Sequence, residues 1–288
     1  MQKDPITVDE SLCTNCGQCV EVCLGKILEQ TEDGIRIVKP QWCNQCGHCV
    51  AICPEAAITV GTDPPLPLPD SIPVTPEQMI DHIRARRSVR HFRRQPVPRE
   101  DLERMIEAAR YAPTGSNMQN TCFTVIAAPE KIEAIRRQVL ASLEKRVQHW
   151  EALAEAHERE GKPIPEELKT RVAVRDRYRN MVEMAKAGRD VIFHQAPALI
   201  LVHGEPAGVT PKDDADLAAM SILLVAHSMG LGTCLIGLLT AAMAEDRSLR
   251  EIAELPPGHQ VFTSLVLGYP RLQFRRAPGR KPARVRWL

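Results

Sequence analysis

Eight of the ten cysteines in this 288-residue chain lie within one short stretch, in two copies of a single pattern. Each copy has the spacing C-x2-C-x2-C-x3-C, and the second copy follows thirty residues after the first. Three thiolates at such short spacings can bind three corners of an iron–sulfur cubane, while the fourth cysteine of each run binds the other cubane. The sequence therefore predicts two [4Fe–4S] clusters. One would be held by Cys13, Cys16, Cys19 and Cys53, and the other by Cys23, Cys43, Cys46 and Cys49.

Two structural zinc sites are the alternative interpretation of this stretch. Zinc sites usually pair two C-x2-C motifs across a longer loop, whereas here four cysteines fall within eleven residues, twice. We therefore favour iron–sulfur clusters. Leu24 stands where the first run would usually carry a proline, which should loosen the turn but removes no ligand. Residues 1–62 resemble the bacterial two-[4Fe–4S] ferredoxin family, in which residues 6–8 and 57–60 would pair as edge strands.

A proline-rich stretch separates this region from the rest of the chain. Residues 63–76 contain six prolines, and such a stretch is extended and semi-rigid. We expect it to link two domains, residues 1–62 and residues 77–288. Thr75 is placed to cap a helix whose first residue is Pro76.

A basic segment, residues 84–92, follows that helix. Such a run is often only a solvated face. The functional alternative is a phosphate site, in which guanidinium groups and a hydroxyl converge on one anion. A second helix over residues 99–111, a loop of turn-forming residues at 112–119 and a strand at 122–127 come next. Together these elements resemble the FMN-dependent nitroreductase family, over about residues 78–288.

This resemblance implies an FMN site built from four separate motifs. The flavin phosphate and ribityl chain would be bound by Arg86, Arg87, Ser88 and Arg90, with a last basic contact from Arg280 and Lys281. The flavin of the other subunit would be reached by Pro113, Thr114 and Gly115, and the substrate would lie near Ser116 and Asn117. The flavin ring would lie beside the backbone of Leu235, Ile236 and Gly237, where an N–H can donate to N5.

The fold class that we expect is α+β. A small ferredoxin-like two-cluster domain would be followed by a nitroreductase-type domain with α/β/α layers and a mainly antiparallel sheet, including strands at residues 198–202 and 261–267. Residues 216–230 are apolar on nearly every face, which is typical of a helix buried on all sides. The resemblance places this helix at the core of a homodimer.

Residues 129–190 form a polar insertion that predicts two helices, at about residues 130–160 and 165–188. A solvated helical hairpin is the simplest interpretation, while the resemblance implies a lid over the flavin. In a lid, the side chains to consider for substrate contact are Trp150, Tyr178, Met181 and Met184.

The remaining cysteines and histidines give no ligand spacing. Cys122 and Cys234 have apolar neighbours and are expected to be small core residues. His194, His203 and His227 are expected to be structural, although His194 is a weak candidate for a proton donor. No other catalytic side chain is predicted.

The charge balance excludes some classes of protein. Lys and Arg number 37 against 36 Asp and Glu, which argues against a nucleic-acid-binding or membrane-surface protein. The first residues lack the apolar core of a signal peptide, and no apolar run is long enough for a membrane span. We expect a cytoplasmic protein.

The predicted cofactors suggest an electron-transfer enzyme. Iron–sulfur clusters move single electrons and a flavin can deliver two, so the expected reaction is reduction of a small organic acceptor such as a nitro compound or a quinone. No G-x-G-x-x-G motif follows a strand, and a ferredoxin-like donor is favoured over NAD(P)H. The alternatives are a non-enzymatic electron-transfer or redox-sensing module, or a dehalogenating or flavin-fragmenting variant of the same fold.

Overall fold

The computed structural model describes residues 6–288 apart from 62–64, 70 and 72. It contains two compact units. The first comprises Met1–Thr75 with Gly115–Met118, and the second Pro76–Thr114 with Gln119–Leu288. The predicted linker, residues 63–76, lies partly outside the described residues, so the domain boundaries at 62 and 77 stay a prediction.

The first unit consists of short elements. The two outer strands, β1 (Ile6–Val8) and β4 (Ile58–Val60), pair antiparallel, with Ile6 opposite Val60, as expected from the sequence. Between them lie two one-turn helices and a hairpin: α1 (Gln18–Val22), β2 (Leu28–Thr31), β3 (Gly34–Ile37) and α2 (His48–Ile52), followed by β4 (Ile58–Val60). A 3-10 turn at Pro40–Trp42 precedes α2.

The two halves of this unit have the same backbone geometry. Gly17 and Gly47, which precede α1 and α2, have left-handed φ angles of 76° and 73°. Two residues before each glycine, Asn15 and Gln45 have φ angles of 53° and 56°. The sequence repeat is therefore also a structural repeat, because each cysteine run wraps through the same tight turns.

The second unit contains a four-stranded sheet and seven helices within its described residues. The strands are β5 (Cys122–Ile126), β6 (Ala198–Gly204), β7 (Gly232–Leu235) and β8 (Gln260–Gly268). The helices are α3 (Pro76–Ala85), α4 (Arg99–Ala109), α5 (Pro129–Arg159), α6 (Glu166–Lys186), α7 (Pro211–Ser228), α8 (Gly237–Glu245) and α9 (Arg247–Ile252).

The sheet has the order β5-β6-β8-β7, and every pair of neighbouring strands is antiparallel. Along β6, alternate residues point to opposite faces. Leu199 and Leu201 enter one buried cluster together with residues of α5, α8 and α9. Ile200 and Val202 enter a second cluster together with residues of α4 and α7. Helices therefore cover both faces of the sheet, which confirms the predicted α/β/α layers and mainly antiparallel sheet.

The polar insertion forms the two predicted helices, α5 and α6, but α5 is more than part of a solvated hairpin. Its side chains Ile135 and Val139 are fully buried in the cluster that covers the sheet. Farther along, Trp150 packs against Tyr178 of α6, with ring centroids 5.8 Å apart. Thus the first half of α5 belongs to the core, and its second half pairs with α6.

Helix α7 differs from its prediction. It starts at Pro211 instead of residue 216, and within one chain it is not buried on all sides, because Leu217 and Met220 are exposed. On the neighbouring helix α3, the apolar residues Met79, Ile80 and Ile83 are exposed as well. Two adjacent helices thus present apolar side chains that no other described residue covers.

Within the described residues, no helix combines the length and the apolar character needed to cross a bilayer.

Asp246 joins two helices of the second unit through its carboxylate. One oxygen accepts hydrogen bonds from Gln138 Nε2 (2.7 Å) and Ser142 Oγ (2.8 Å) of α5, and the other caps α9 by accepting from Ser248 N (2.9 Å). Burial alone would raise the pKa of Asp246, but the hydrogen bonds from Ser248, Gln138 and Ser142 outweigh it and hold the pKa well below its ordinary value.

We predict that Asp246→Asn lowers the free energy of unfolding by about 1–3 kcal/mol at neutral pH, because the amide leaves half-buried donors unpaired. The depressed pKa contributes stability that is complete above the ordinary value of about 4 and is lost as the pH falls below it. Hence the difference between wild type and variant should shrink in acid. Urea unfolding followed by circular dichroism measures it. Glu254→Gln, at an exposed ion pair with Lys131, is the control and should change little. An equal loss in both variants would contradict the role of Asp246.

Candidate functional site

The four cysteines predicted to hold the first cluster lie around one small cavity in the first unit. The cavity is lined by Cys13, Cys16, Cys19 and Cys53. Cys53 comes from the second run, thirty residues or more after the others. The fold therefore brings together the crossed set of thiols and not the four cysteines of one run.

The complementary set lines a second cavity of about 440 Å³, which includes Cys23, Cys43, Cys46 and Cys49. Burial is the main cause that raises the pKa of Cys49 to about 11, and the neighbouring thiols Cys46, Cys43 and Cys23 raise it further. Burial also raises the pKa of Cys19. Such thiols are poor nucleophiles on their own, and a metal ion can deprotonate them.

Backbone amides are directed at the cysteine sulfurs in equivalent positions of the two halves. The Ile27 N–H donates to Cys23 Sγ (3.4 Å), and the Ala57 N–H donates to Cys53 Sγ (3.2 Å). Hydrogen bonds to ligating sulfurs stabilise their negative charge and help to set the reduction potential of a cluster. The residues present thus fit two iron–sulfur clusters.

Leu24 does not loosen the turn after Cys23, contrary to expectation. Its side chain is almost fully exposed. The Lys26 N–H donates to Cys23 O (3.1 Å), just as the Ala56 N–H donates to Cys53 O (3.3 Å) in the run that does carry a proline. The turn keeps its shape because the backbone hydrogen bond, and not the proline ring, closes it.

In the second unit, the basic segment lies against β7. The Val89 N–H donates to Thr233 O (2.9 Å), and Ser88 forms an isolated parallel bridge with Thr233. A Cβ on Gly232 would lie 2.5 Å from Val89 Cγ2, so only glycine allows this approach. The structure therefore places Ser88 beside the strand that leads to Leu235, Ile236 and Gly237.

The arginines of the basic segment differ in their partners. Arg87 Nη1 donates to the carbonyl oxygens of Arg84 (2.7 Å) and Arg86 (2.6 Å), at the C-terminal end of α3. Arg84 forms an exposed ion pair with Asp81. By contrast, the side chains of Arg86 and Arg90 have no hydrogen bond or ion pair with any residue that the structure describes.

Two cavities flank the basic segment. Arg86 and Arg87 line one of about 460 Å³, together with His227 and Gly230. Arg90 lines the other, of about 700 Å³, whose wall also includes Arg177, Arg189, Arg271, Met181, Met184 and His194. Met181 and Met184, which the sequence suggested for substrate contact, thus face a cavity, whereas Trp150 is buried against Tyr178.

The turn from β7 to α8 contains the backbone that was predicted to lie beside the flavin ring. Leu235 is half exposed. The Ile236 N–H is already used, because it donates to Ser264 O (2.9 Å). Gly237 is the first residue of α8, where an N–H has no acceptor within the helix, and no atom lies within 4 Å of a Cβ built on it. Of the Ile236 and Gly237 N–H groups, the one at Gly237 therefore remains available.

The loop after α4 is divided between the two compact units. Gly115–Met118 belongs to the first compact unit, and Ser116 and Asn117 have left-handed φ angles of 52° and 53°. Asn117 Nδ2 donates to Gln45 O (2.8 Å) within that unit. Pro113 and Thr114 precede it, and Thr114 Oγ1 accepts from the Gln119 N–H (3.1 Å).

Arg280 and Lys281 lie in the C-terminal segment, residues 271–288, which contains no helix or strand and is exposed throughout. Neither side chain forms a hydrogen bond or ion pair with the described residues. A single chain therefore does not join these two predicted phosphate contacts to Ser88.

His194 lies half buried on the wall of the 700 Å³ cavity, with an unusual φ of 58°. Asp190 fixes this turn by accepting hydrogen bonds from the amides of Ile192, Phe193 and Gln195. Burial lowers the pKa of His194, and the charge of Arg90 lowers it further, although Asp190 opposes the shift. His194 is therefore mostly neutral at pH 7, which weakens its predicted role as a proton donor.

Residues 83–269, nearly two thirds of the chain, match the model of the nitroreductase family. The chain belongs to the nitroreductase family. Residues 5–54 match the model of a 4Fe-4S dicluster domain. The predicted fusion of a two-cluster ferredoxin domain with a nitroreductase domain is confirmed.

Individual relatives are distant. An iodotyrosine deiodinase from Thermotoga neapolitana is 24% identical over 195 residues, which is 67% of this chain and 89% of that protein. A nitroreductase with bound FMN from Desulfitobacterium hafniense has a TM-score of 0.53 and 22% identity over 73% of this chain and 97% of its own. One from Bacteroides fragilis, also with bound FMN, has a TM-score of 0.51 and 23% identity over 73% and 99%. These similarities show that the second unit has the nitroreductase fold.

Sequence reasoning missed one cluster of side chains in this nitroreductase-family chain. Cys122 and His203, which were expected to be ordinary core residues, lie together with His259. Burial is the main cause that lowers the pKa of His203 to about 4, and the neighbouring His259 lowers it further. The sequence offered no signal for this cluster, because its three residues show no ligand spacing.

We predict that paired cysteine variants will reveal the crossed ligand sets. Cys13→Ser with Cys53→Ser removes ligands of a single cluster and should leave half of the iron. Cys13→Ser with Cys23→Ser removes one ligand from each cluster and should eliminate both. Iron and sulfide analysis, with electron paramagnetic resonance of the reduced protein, measures the outcome. If Cys13→Ser with Cys23→Ser left half of the iron and Cys13→Ser with Cys53→Ser eliminated both clusters, each run would hold its own cluster. Stoichiometric zinc in the wild type would refute iron–sulfur binding.

Proposed function

We propose that this protein is an FMN-dependent oxidoreductase that connects two [4Fe–4S] clusters to a flavin and reduces a small organic acceptor. The observation that carries the proposal is that a single chain contains two crossed cysteine quartets and a nitroreductase domain in which Arg86 and Arg90 have no hydrogen bond or ion pair with the described residues. A domain of either kind alone would not link one-electron to two-electron chemistry.

In this proposal, the cysteine quartets act as ligands. Cys13, Cys16, Cys19 and Cys53 hold one cluster, and Cys23, Cys43, Cys46 and Cys49 hold the other. The cavities that these two sets line support the assignment. The amides of Ile27 and Ala57 then help to tune one cluster each, because they donate to equivalent sulfurs.

The flavin phosphate is held by the basic segment. Arg86 and Arg90 have no carboxylate partner within the described residues, as expected for arginines that bind an anionic ligand. Ser88 adds a hydroxyl donor, and Arg87 keeps the end of α3 in place through its hydrogen bonds to backbone carbonyls. Since guanidinium groups bind phosphate oxygens with charge-assisted hydrogen bonds, these residues can fix the position of FMN.

The flavin ring lies against Leu235, Ile236 and Gly237 in this proposal. The open space beside Gly237 allows a flat ring to approach the backbone, and its N–H can donate to the ring. When bound, FMN would convert single electrons from the clusters into a two-electron reduction of the acceptor.

A homodimer completes the site. We propose that the partner subunit supplies Pro113, Thr114 and Gly115, as the resemblance to the family implies. Arg280 and Lys281, which have no hydrogen bond or ion pair with the described residues, are proposed to come from it as well. The exposed apolar residues of α3 and α7 support this assembly, because large uncovered apolar surfaces are typical of interfaces. Ser116 and Asn117 stay proposed as neighbours of the substrate.

The acceptor is proposed to bind in the 700 Å³ cavity, beside Met181 and Met184. Several arginines in this wall favour an acceptor that gains negative charge during reduction. A ferredoxin-like protein is proposed as the electron donor in preference to NAD(P)H, since the fused clusters accept single electrons.

Reductive dehalogenation of a halophenol is the second candidate function. Its support is the similarity to an iodotyrosine deiodinase over 195 residues. The reaction takes two electrons and one proton and converts an aryl–halogen bond into an aryl–hydrogen bond and a halide ion. Anaerobic turnover with nitroaromatics, quinones and halophenols, with halide release as one readout, distinguishes the two candidates.

We predict that Arg86→Ala combined with Arg280→Ala weakens FMN binding by about two to four orders of magnitude. Each substitution removes a charge-assisted hydrogen bond worth about 1.5–3 kcal/mol. Iron content should stay unchanged. Fluorescence titration of the flavin-free protein with FMN measures the affinity. Arg84→Ala is the matched control, because Arg84 already pairs with Asp81 on the surface. Wild-type affinity in the double variant would refute the phosphate site.

We predict that the clusters are the route by which electrons enter. Cys16→Ser or Cys46→Ser should abolish most turnover with a reduced ferredoxin donor, while a flavin reduced chemically beforehand should still reduce the acceptor. Leu24→Pro is the control. Cys23 has φ −77° and ψ 100°, close to the values of Cys53 before Pro54, so a proline fits there and all ligands remain. Full ferredoxin-driven turnover in the cysteine variants would show that the clusters are not the inlet.

A further inference from the structure

Three potential metal ligands meet at one end of the four-stranded sheet. Cys122 is the first residue of β5 and lies directly opposite His203 of β6. His259 immediately precedes β8. The sulfur and one ring nitrogen of each histidine lie within 4.8 Å of one another.

We propose that Cys122, His203 and His259 bind a single zinc ion. Thiolate and imidazole are the ligands that zinc prefers, and three protein ligands leave a fourth position for water. His203 is buried, whereas Cys122 and His259 are half buried. An ion can therefore enter from the side of the latter two residues.

The two histidine nitrogens need only a small adjustment. His203 Nδ1 and His259 Nδ1 lie 2.9 Å apart. In a tetrahedral site with Zn–N bonds of about 2.0–2.1 Å, two ligating nitrogens lie about 3.3 Å apart. The rings must separate by less than half an ångström. Without metal, the two nitrogens can share one proton in a hydrogen bond, and the zinc ion would take the place of that proton.

Surrounding groups already orient the ligands. Thr124 Oγ1 lies 2.9 Å from His203 Nε2. If the hydroxyl accepts the Nε2 proton, the lone pair of Nδ1 is directed into the site, which is the usual arrangement around a zinc-bound histidine. The register of β6 against β8 shifts between Val202 and His203, and such an irregularity re-aims a side chain.

The backbone just before Cys122 packs closely against the end of β6. A Cβ on Gly204 would lie 2.9 Å from Asn120 O, so the glycine lets the chain before β5 pack close to the end of β6. Bound zinc would tie together the ends of β5 and β6 and the loop before β8. The site uses none of the residues proposed for FMN or for the iron–sulfur clusters.

The test uses the full chain with both clusters assembled under anaerobic conditions. After equilibration with zinc and dialysis, we expect one zinc ion per chain without loss of iron. X-ray absorption at the zinc edge should show one sulfur at about 2.3 Å and nitrogen or oxygen at about 2.0 Å. Absence of stoichiometric zinc, or zinc bound by several sulfurs, would overturn the proposal.

Variants assign the ligands. Cys122→Ser and His259→Gln should each weaken zinc binding at least tenfold in competition with a chelator, and both positions are half buried, which favours folding of the variants. Thr124→Val should weaken it about 10–100-fold, as expected for loss of an orienting partner. Cys234→Ser, at a buried cysteine away from the cluster, is the matched control and should keep wild-type affinity. Wild-type affinity in Cys122→Ser would refute the site.

Discussion

The close approach of the basic segment to β7 is the contact on which the proposed flavin site depends. Val89 and Thr233 are joined by one backbone hydrogen bond, and the missing side chain of Gly232 makes room for it. This contact joins the segment after α3 to the strand before α8, although the two are far apart in sequence. The anion-binding groups and the backbone proposed for the flavin ring are thereby held at a fixed separation, because both are attached to the same strand.

The first unit depends on a different constraint, namely its small size. Its buried cluster consists of Ile6, Cys19, Ile27, Leu28 and Ile58 among the described residues. A unit of this size is only marginally stable by packing alone. Metal–thiolate bonds supply folding free energy in such domains, so the clusters would be structural as well as redox-active. The crossed ligand sets strengthen this effect, since each cluster would tie one half of the repeat to the other.

Features encoded by local sequence could be predicted. The cysteine spacing indicated both cavities, and the apolar strands 198–202 and 261–267 appear as the central pair of the sheet. Features set by distant contacts could not. The burial of Ile135 depends on a sheet formed far along the chain, and the meeting of Cys122 with His259 depends on the register of β5, β6 and β8. The commitment of the Ile236 N–H to Ser264 likewise has no local signal.

The exposed side of α7 could not be predicted either. The sequence shows that this helix is apolar, but not which of its side chains the rest of the chain leaves exposed. Leu217 and Met220 are exposed here, next to a helix with an equally uncovered stripe. Meanwhile, the guanidinium groups of Arg86 and Arg90 lack counter-charges among the described residues. Burial lowers the pKa of His227, and the positive charges of nearby Arg86 and Arg87 lower it further. The charges of these two arginines therefore act on a neighbouring side chain. In the function proposed above, a second copy would cover these helices, and a bound phosphate would neutralise Arg86 and Arg90, which have no ion pair among the described residues.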